Sequence, residues 1–458
     1  MKNIVLFSLL TLFSLGVSAG KSYMFRLYLK DKSGTQFSIE HPEKFLSQRA
    51  LERRNRQNLT VDSTDLPISM QYINVVKKTG TKIVAKSKWN NTMVIELSDS
   101  TKLSQFAEMP FVIKVKRVWV SPDSIPERNS ERKKEVTNKN NKFENYYGDA
   151  YRQIDVHHGD SLHMAGFKGK GMHIAIIDAG FYNADEIKLF KKINLLGTKD
   201  FVNPKSDIYA ENSHGMKVLS CMAANTPYVM VGTAPEASYW LLRSEDNDTE
   251  FPVEEDYWAA AVEFADSAGV DVINTSLGYA EFDDKSASYN YRDLDGKTSL
   301  MSNSASMIAD KGMVLVNSAG NSGRKTWKKI TPPADAKNVI TVGAITRKLV
   351  NGEFSSVGNT SDGRVKPDVM SVGVSSAVIG DDGIVTWANG TSFSSPILCG
   401  IVADFWQACP WLTAKQVVEA VQKAGDRYEY PDNIFGYGVP DMWKAYKDEL
   451  FKRNSDGK

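Results

Sequence analysis

Four short segments carry residues whose types could do chemistry. Asp178 ends the apolar run in Ile176-Ile177-Asp178-Ala179-Gly180, and His214 stands in Asn212-Ser213-His214-Gly215-Met216. Asn389-Gly390-Thr391-Ser392-Phe393-Ser394-Ser395-Pro396 leads into an apolar helix, Ile397 to Gln407, and Val316-Asn317-Ser318-Ala319-Gly320-Asn321-Ser322-Gly323 carries a flexible turn and a side-chain amide. Each also has an ordinary structural explanation. An Asp after an apolar run forms turns, a His at the entrance of a helix (here Lys217 to Ala224) caps or packs, and a Ser at a helix start is a cap. The serine segment offers more than a cap: small residues before Ser392 let a substrate approach, and free amides at a helix start hold developing negative charge.

The surrounding pattern says what positions these residues. From about Tyr147 onward, short apolar runs alternate with helical stretches. The clearest runs are Met172 to Ile177, Val270 to Ile273, Met313 to Val316 and Val339 to Val342, each bounded by Gly, Asn or Asp. Such runs predict buried parallel strands of a doubly wound α/β sheet. In these sheets ligands and catalytic groups gather at the carboxyl edge of the strands, where the residues above fall.

Together the segments resemble the subtilisin-like serine protease family (subtilases, peptidase family S8). The family's signatures appear as Ile177-Asp178-Ala179-Gly180, His214-Gly215-Met216 and Gly390-Thr391-Ser392-Phe393-Ser394-Ser395-Pro396, in its order of Asp, His, Ser. Ala319-Gly320-Asn321 matches the oxyanion-hole signature, and Ile273-Asn274-Thr275-Ser276-Leu277-Gly278 the substrate-binding strand. The resemblance implies a serine endopeptidase working through an acyl-enzyme, with Ser392 as nucleophile, His214 as base and Asp178 as its support. It implies that Asn321 and the Ser392 amide bind the oxyanion, and that Ser276, Leu277, Gly278, Ser318, Ala319 and Gly320 flank the substrate. Two positions depart from the family: Met216 stands where Thr is usual and Phe393 where Met is usual.

The N-terminal part has a different pattern. Tyr23 to Leu29 alternates like a strand; Pro42 to Gln57 reads as a helix with Phe45, Leu46, Ala50 and Leu51 inward; Ile68 to Lys78 is helix-like. Lys82 to Lys88 and Thr92 to Leu97 form a strand pair, Lys102 to Ala107 a short helix, and Phe111 to Val120 a last strand. Residues 20–120 therefore form a small α+β domain, which the resemblance makes a propeptide. Residues 121–146, rich in charge and polar residues, are a cleavable linker to the catalytic domain, 147–458. The chain's net charge of +1 hides an asymmetry. Gly20 to Tyr146 holds 24 Lys+Arg against 14 Asp+Glu, and Tyr147 to Lys458 holds 31 against 41.

Other features narrow the function. Met1-Lys2-Asn3, the apolar run Ile4 to Val17 and Val17-Ser18-Ala19 make residues 1–19 a signal peptide, so the protein is exported to the periplasm or beyond the cell. No later run is long enough to span a membrane. The basic charges are dispersed, not in blocks with interleaved aromatics, which argues against nucleic acid. Cys221, Cys399 and Cys409 read as buried thiols with no disulfide framework. No cofactor or metal is required; Asp293-Leu294-Asp295-Gly296 is a partial acidic loop that gives calcium weak support. Glu245 to Glu255 is acidic enough to favour basic substrates, or is a solvated face. The expected partners are a peptide or protein substrate and the chain's own prosegment. An α/β-hydrolase esterase is disfavoured because Ser394 replaces the last Gly of its elbow. A catalytically inactive binding protein on the same fold is the alternative from another class.

Overall fold

The computed structural model describes residues 21–123, 142 and 144–455. Residues 1–19, expected as a signal peptide, and positions 124–141 and 143 of the expected linker lie outside the described residues.

The N-terminal unit is a four-stranded antiparallel sheet in the order β2-β3-β1-β4. Its strands are β1 (Tyr23–Leu29), β2 (Lys82–Ser87), β3 (Thr92–Leu97) and β4 (Val112–Val120), with helices α1 (Gln48–Arg56), α2 (Met70–Lys78) and α3 (Leu103–Ala107). Alternation buries Phe25, Leu27 and Leu29 of β1 against Ile73 and Val76 of α2 and Phe106 of α3. The stretch expected as one helix from Pro42 divides into a 3-10 turn, Pro42–Lys44, and α1, which begins when Ser47 Oγ accepts from Ala50 N. Leu46 and Ala50 are buried as expected, whereas Phe45 and Leu51 are only partly covered and the charged Arg53 and Arg54 are buried in their place. Apolar periodicity does not register a buried charge whose partner lies on a distant segment.

The C-terminal unit begins with α4 (Tyr151–Asp155) and α5 (Gly159–Met164). Its seven-stranded sheet has the order β13-β12-β11-β10-β5-β9-β6, all neighbours parallel. The strands are β5 (His173–Asp178), β6 (Asn194–Asp200), β9 (Ser238–Arg243), β10 (Val272–Thr275), β11 (Val314–Ser318), β12 (Ile340–Ile345) and β13 (Val369–Val372). Two hairpins lie outside it, β7 (Asn225–Thr226) with β8 (Met230–Val231), and β14 (Ser376–Ile379) with β15 (Val385–Ala388). Helices α6 (His214–Ala223), α9 (Thr391–Ala408), α10 (Ala414–Lys423) and α11 (Met442–Ser455) bury one apolar cluster against the sheet with Ile174, Ile176, Val314 and Val316. Helices α7 (Val253–Ala268) and α8 (Leu300–Met307) cover the alternate residues Ala175, Ile177, Ile273 and Leu315. Strands covered on both faces explain why they read as continuous apolar runs.

The two units meet along α7 through charge. Arg26 of β1 donates to Asp256 at 2.6 and 2.8 Å and to the Pro252 carbonyl at 2.9 Å. Arg53 and Arg54 both reach Asp266, at 2.6 and 2.9 Å, and Lys88 reaches it at 3.3 Å. Glu263 accepts from Lys88 N at 2.7 Å and Trp89 N at 3.0 Å. In the opposite sense, Lys311 pairs with Asp62 and Asp65 at 3.1 Å. Arg26, Arg53, Arg54 and their carboxylates have at most 2% of their side-chain surface exposed, so each charge is compensated by a partner in place of water.

Candidate active site

Strand β5 ends in Asp178, fully buried between β9 and β10. One carboxylate oxygen, Oδ1, accepts from Ala179 N at 2.8 Å and lies 2.7 Å from His214 Nδ1. His214 is the first residue of α6, and its backbone N–H donates to Asn212 Oδ1 at 2.8 Å. This close approach requires Gly215: a Cβ there would lie 2.5 Å from the Gly180 carbonyl and 2.9 Å from Asp178 Cβ. Burial works against a charged imidazole, but the Asp178 charge and hydrogen bond, aided by Glu245, more than offset it and raise the His214 pKa above its ordinary value. Burial first, then the Asp178 charge, push Glu245 itself up to about 7.

Helix α9 starts earlier than its apolar run suggests, at Thr391, so Ser392 lies in its first turn. Pro396 has no N–H to donate to the Ser392 carbonyl four residues before it. Ser276 Oγ donates to that carbonyl instead, at 2.9 Å. Asn274 Nδ2 donates to Ser276 Oγ at 3.1 Å, and Ser395 Oγ donates to Asn274 Oδ1 at 2.8 Å, so a buried polar chain joins the end of β10 to the start of α9. The Ser392 hydroxyl is turned to the Ser276 carbonyl, at 3.3 Å. Asn321 follows β11 and uses Oδ1 to accept from Thr391 N and Thr391 Oγ1, at 2.9 and 3.0 Å. That orientation leaves its NH₂ as a donor beside Gly390, 3.7 Å from where a Cβ would stand.

His214, Asn321, Ser392 and Phe393 line one cleft of about 520 Å³. The Phe393 ring lies 6.0 Å from the His214 ring, tilted by 45°, while Met216 is fully buried. Of the six residues expected to flank the substrate, Ser276, Leu277, Gly278, Ser318, Ala319 and Gly320, none lines that cleft; Leu277 and Ala319 turn their side chains into apolar clusters, and Ser276 engages Ser392. Trp387, on the β14–β15 hairpin, also lines the cleft, 47% exposed, with Arg347 stacked 4.3 Å from its ring centre. Sequence reasoning missed it; its only signal was the alternation of Val385-Thr386-Trp387-Ala388 before Asn389-Gly390.

The acidic stretch divides. Glu254 accepts from Asp246 N and Phe251 N, and Glu255 accepts from Tyr289 and Ser299 hydroxyls, all within the fold. Asp295 caps its own loop through Lys297 N and Thr298 N, and Asp293 accepts from Asn290 N. Among the described residues no group of three or more His, Cys, Asp or Glu side chains is placed to hold a metal ion. Cys221, Cys399 and Cys409 are free, buried thiols.

Residues 169–438 match the model of the subtilase family, more than half of the chain. The chain belongs to the subtilase family. This subtilase is a serine endopeptidase by that membership, and its residues 24–138 match the peptidase S8 propeptide domain of Bacteroidota. It is 30% identical to subtilisin DY of Bacillus licheniformis over 281 residues, 59% of this chain and 91% of the relative. Subtilisin NAT of Bacillus subtilis subsp. natto is 29% identical over 286 residues, 61% of this chain and 66% of the relative. Among solved structures, the MycP3 protease from the type VII (ESX-3) secretion system matches with a TM-score of 0.53 at 20% identity, over 65% of this chain and 88% of that one, a likeness of fold. No described helix of the subtilase is long and apolar enough to cross a membrane.

Proposed function

We propose that this subtilase hydrolyses peptide bonds through an acyl-enzyme on Ser392 and that it processes its own inhibitory prosegment. The observation that carries the proposal is that His214, Ser392 and Asn321, from separate strand ends and helix starts, line one cleft, with the buried Asp178 holding His214 by Nδ1. With substrate bound, the Ser392 hydroxyl leaves the Ser276 carbonyl and gives its proton to the neutral His214 imidazole as it attacks the scissile carbonyl. Asp178 holds the imidazole by Nδ1 and stabilises the imidazolium that forms. The Asn321 NH₂ and the Ser392 amide receive the oxyanion. His214 then donates the proton to the departing amine, and water releases the acyl group.

The prosegment role rests on where β4 leads. Trp119 Nε1, one residue before its end, donates to Thr249 Oγ1 at 3.2 Å. Asn247, two residues earlier in that loop, donates to the Ala179 carbonyl at 3.3 Å and accepts from Asn212 at 2.7 Å. The chain therefore leaves β4 beside the loops that carry Asp178 and His214, which supports a prosegment docked next to the cleft and export of the chain as a zymogen. N-terminal sequencing of protein secreted by the wild type and by Ser392→Ala tests this. A new N-terminus between Ser121 and Tyr147 is expected in the wild type only; the same cut in both overturns self-processing.

A further inference from the structure

Arg243, the last residue of β9, is paired in the sheet with Asp178 at the end of β5 and with Asp200 at the end of β6. Its side chain is buried, 3% exposed, and its guanidinium spans the neighbouring strand ends and a loop. Nε donates to the Ala179 carbonyl at 3.1 Å, while one terminal nitrogen donates to Asp200 Oδ2 at 2.9 Å and lies 3.4 Å from Glu211 Oε1. Asp200 is itself fixed, accepting from Val202 N, Asn203 N and Ser206 Oγ, and so gives the guanidinium a rigid support. The other two partners belong to the segments that carry Asp178 and His214. Ala179 N donates to Asp178 Oδ1, the oxygen that meets His214 Nδ1. Glu211 stands shortly before His214 in the chain, and Asn212 between them accepts from His214 N. The two segments touch at Gly180, where a Cβ would lie 2.5 Å from Asn212 N and 2.6 Å from Glu211 Cβ. Asn247 closes the circuit: its Nδ2 donates to the Ala179 carbonyl at 3.3 Å and its Oδ1 accepts from Asn212 at 2.7 Å.

We propose that Arg243 is a positioning residue for proton transfer in this subtilase: its planar fork fixes the turn that orients the Asp178 carboxylate against the loop that carries His214, and so sets the contact between Nδ1 and Oδ1. The proposal rests on Asp178, His214 and Ser392 acting as the triad. A buried guanidinium suits the role because its donors diverge rigidly in one plane. The ammonium of a lysine is a single point and cannot hold the Ala179 carbonyl and the Asp200 carboxylate together. Misplacing a catalytic group by about 1 Å can cost about 10²-fold in rate.

The test compares two variants made in the full chain. Arg243→Lys keeps the charge and removes the fork; Asn247→Ala removes the neutral second donor from an exposed position. With a chromogenic peptide, kcat, KM and the acidic limb of kcat/KM are measured per active site counted by fluorophosphonate titration. Arg243→Lys is expected to lower kcat by about ten- to a hundredfold with little change in KM. Its acidic limb is expected at lower pH than that of the wild type. Burial lowers the His214 pKa, and the Asp178 charge and hydrogen bond raise it above its ordinary value, so a loosened contact lets it fall. The charged groups that act on the imidazole, Asp178, Glu245 and Lys217, are the same in both variants. Asn247→Ala is expected to move kcat and the limb in the same directions by less, and it decides alone if Arg243→Lys does not fold. An unmoved limb in the folded variants, whether or not kcat falls, overturns the role of Arg243 and leaves the triad standing. A wild-type chain that reacts with no fluorophosphonate and cleaves no peptide overturns the triad, and this proposal with it.

Discussion

Asn321 is locked to Thr391: its carboxamide oxygen accepts from both the backbone N–H and the hydroxyl of that residue, and the same hydroxyl accepts from Gly320 N at 3.1 Å. The Asn321 NH₂, the donor proposed for the oxyanion, is thus oriented before substrate arrives, which is what preorganised charge stabilisation requires. Asn321→Ala is expected to lower kcat by about 10²–10³ with little change in KM, the loss that removing such a donor causes in subtilisin. Thr391→Val, which loosens the orientation and spares the donor, should cost less. A loss under about fivefold for Asn321→Ala, measured by steady-state kinetics, contradicts the assignment.

The pH profile should report His214. Catalysis needs the neutral imidazole, so kcat/KM rises with pH through the His214 pKa. Despite burial, the Asp178 charge and hydrogen bond place that pKa above the ordinary imidazole value of about 6.5. Glu245 adds to the rise, so Glu245→Gln should move the acidic limb to lower pH. The displacement should stay under about one unit, because Glu245 is itself pushed up to about 7 and carries only part of its charge there. A limb that moves upward in the variant counts against the electrostatic account.

The prosegment interface should respond to salt in its association rate more than in its dissociation rate. The opposed net charges of the two units act at long range and are screened over roughly 8 Å at physiological ionic strength. The contacts formed on docking are different: Arg53, Arg54 and Asp266 are sealed from solvent. Arg53→Ala should weaken inhibition by the added prosegment by about 2–5 kcal/mol, mostly through faster release. Stopped-flow binding at low and high salt checks both points, and a dissociation rate that climbs steeply with salt contradicts the sealed interface.

Phe393 occupies the cleft beside His214 where a methionine would be open to oxidation. Phe393→Met should lose activity to hydrogen peroxide faster than the wild type, because the sulfoxide is polar and bulky next to Ser392. Met216, fully buried behind His214, should be spared. Equal inactivation rates removes this role for Phe393.

The parallel sheet was legible because strands buried on both faces are written as apolar runs, and β5, β10, β11 and β12 fall within a few residues of Met172 to Ile177, Val270 to Ile273, Met313 to Val316 and Val339 to Val342. The start of α9 was not, because its first turn is Thr391-Ser392-Phe393-Ser394-Ser395, residues that suit a loop and become helical once Asn321 and Ser276 hold them. The charges of Arg53 and Arg54 concealed their burial, since only the docked α7 supplies Asp266. Trp387 left only the alternation of Val385-Thr386-Trp387-Ala388 as a signal, because it reaches the cleft through a hairpin whose position depends on the assembled sheet.

The central claim is that Ser392 is the nucleophile that His214 activates. Peptide mapping by mass spectrometry after reaction of the active enzyme with a fluorophosphonate tests it most directly. The account predicts one adduct, on Ser392, formed together with loss of casein hydrolysis and absent from His214→Ala. Casein hydrolysis that persists in Ser392→Ala, or an adduct on another residue accompanying the loss of activity, would contradict it.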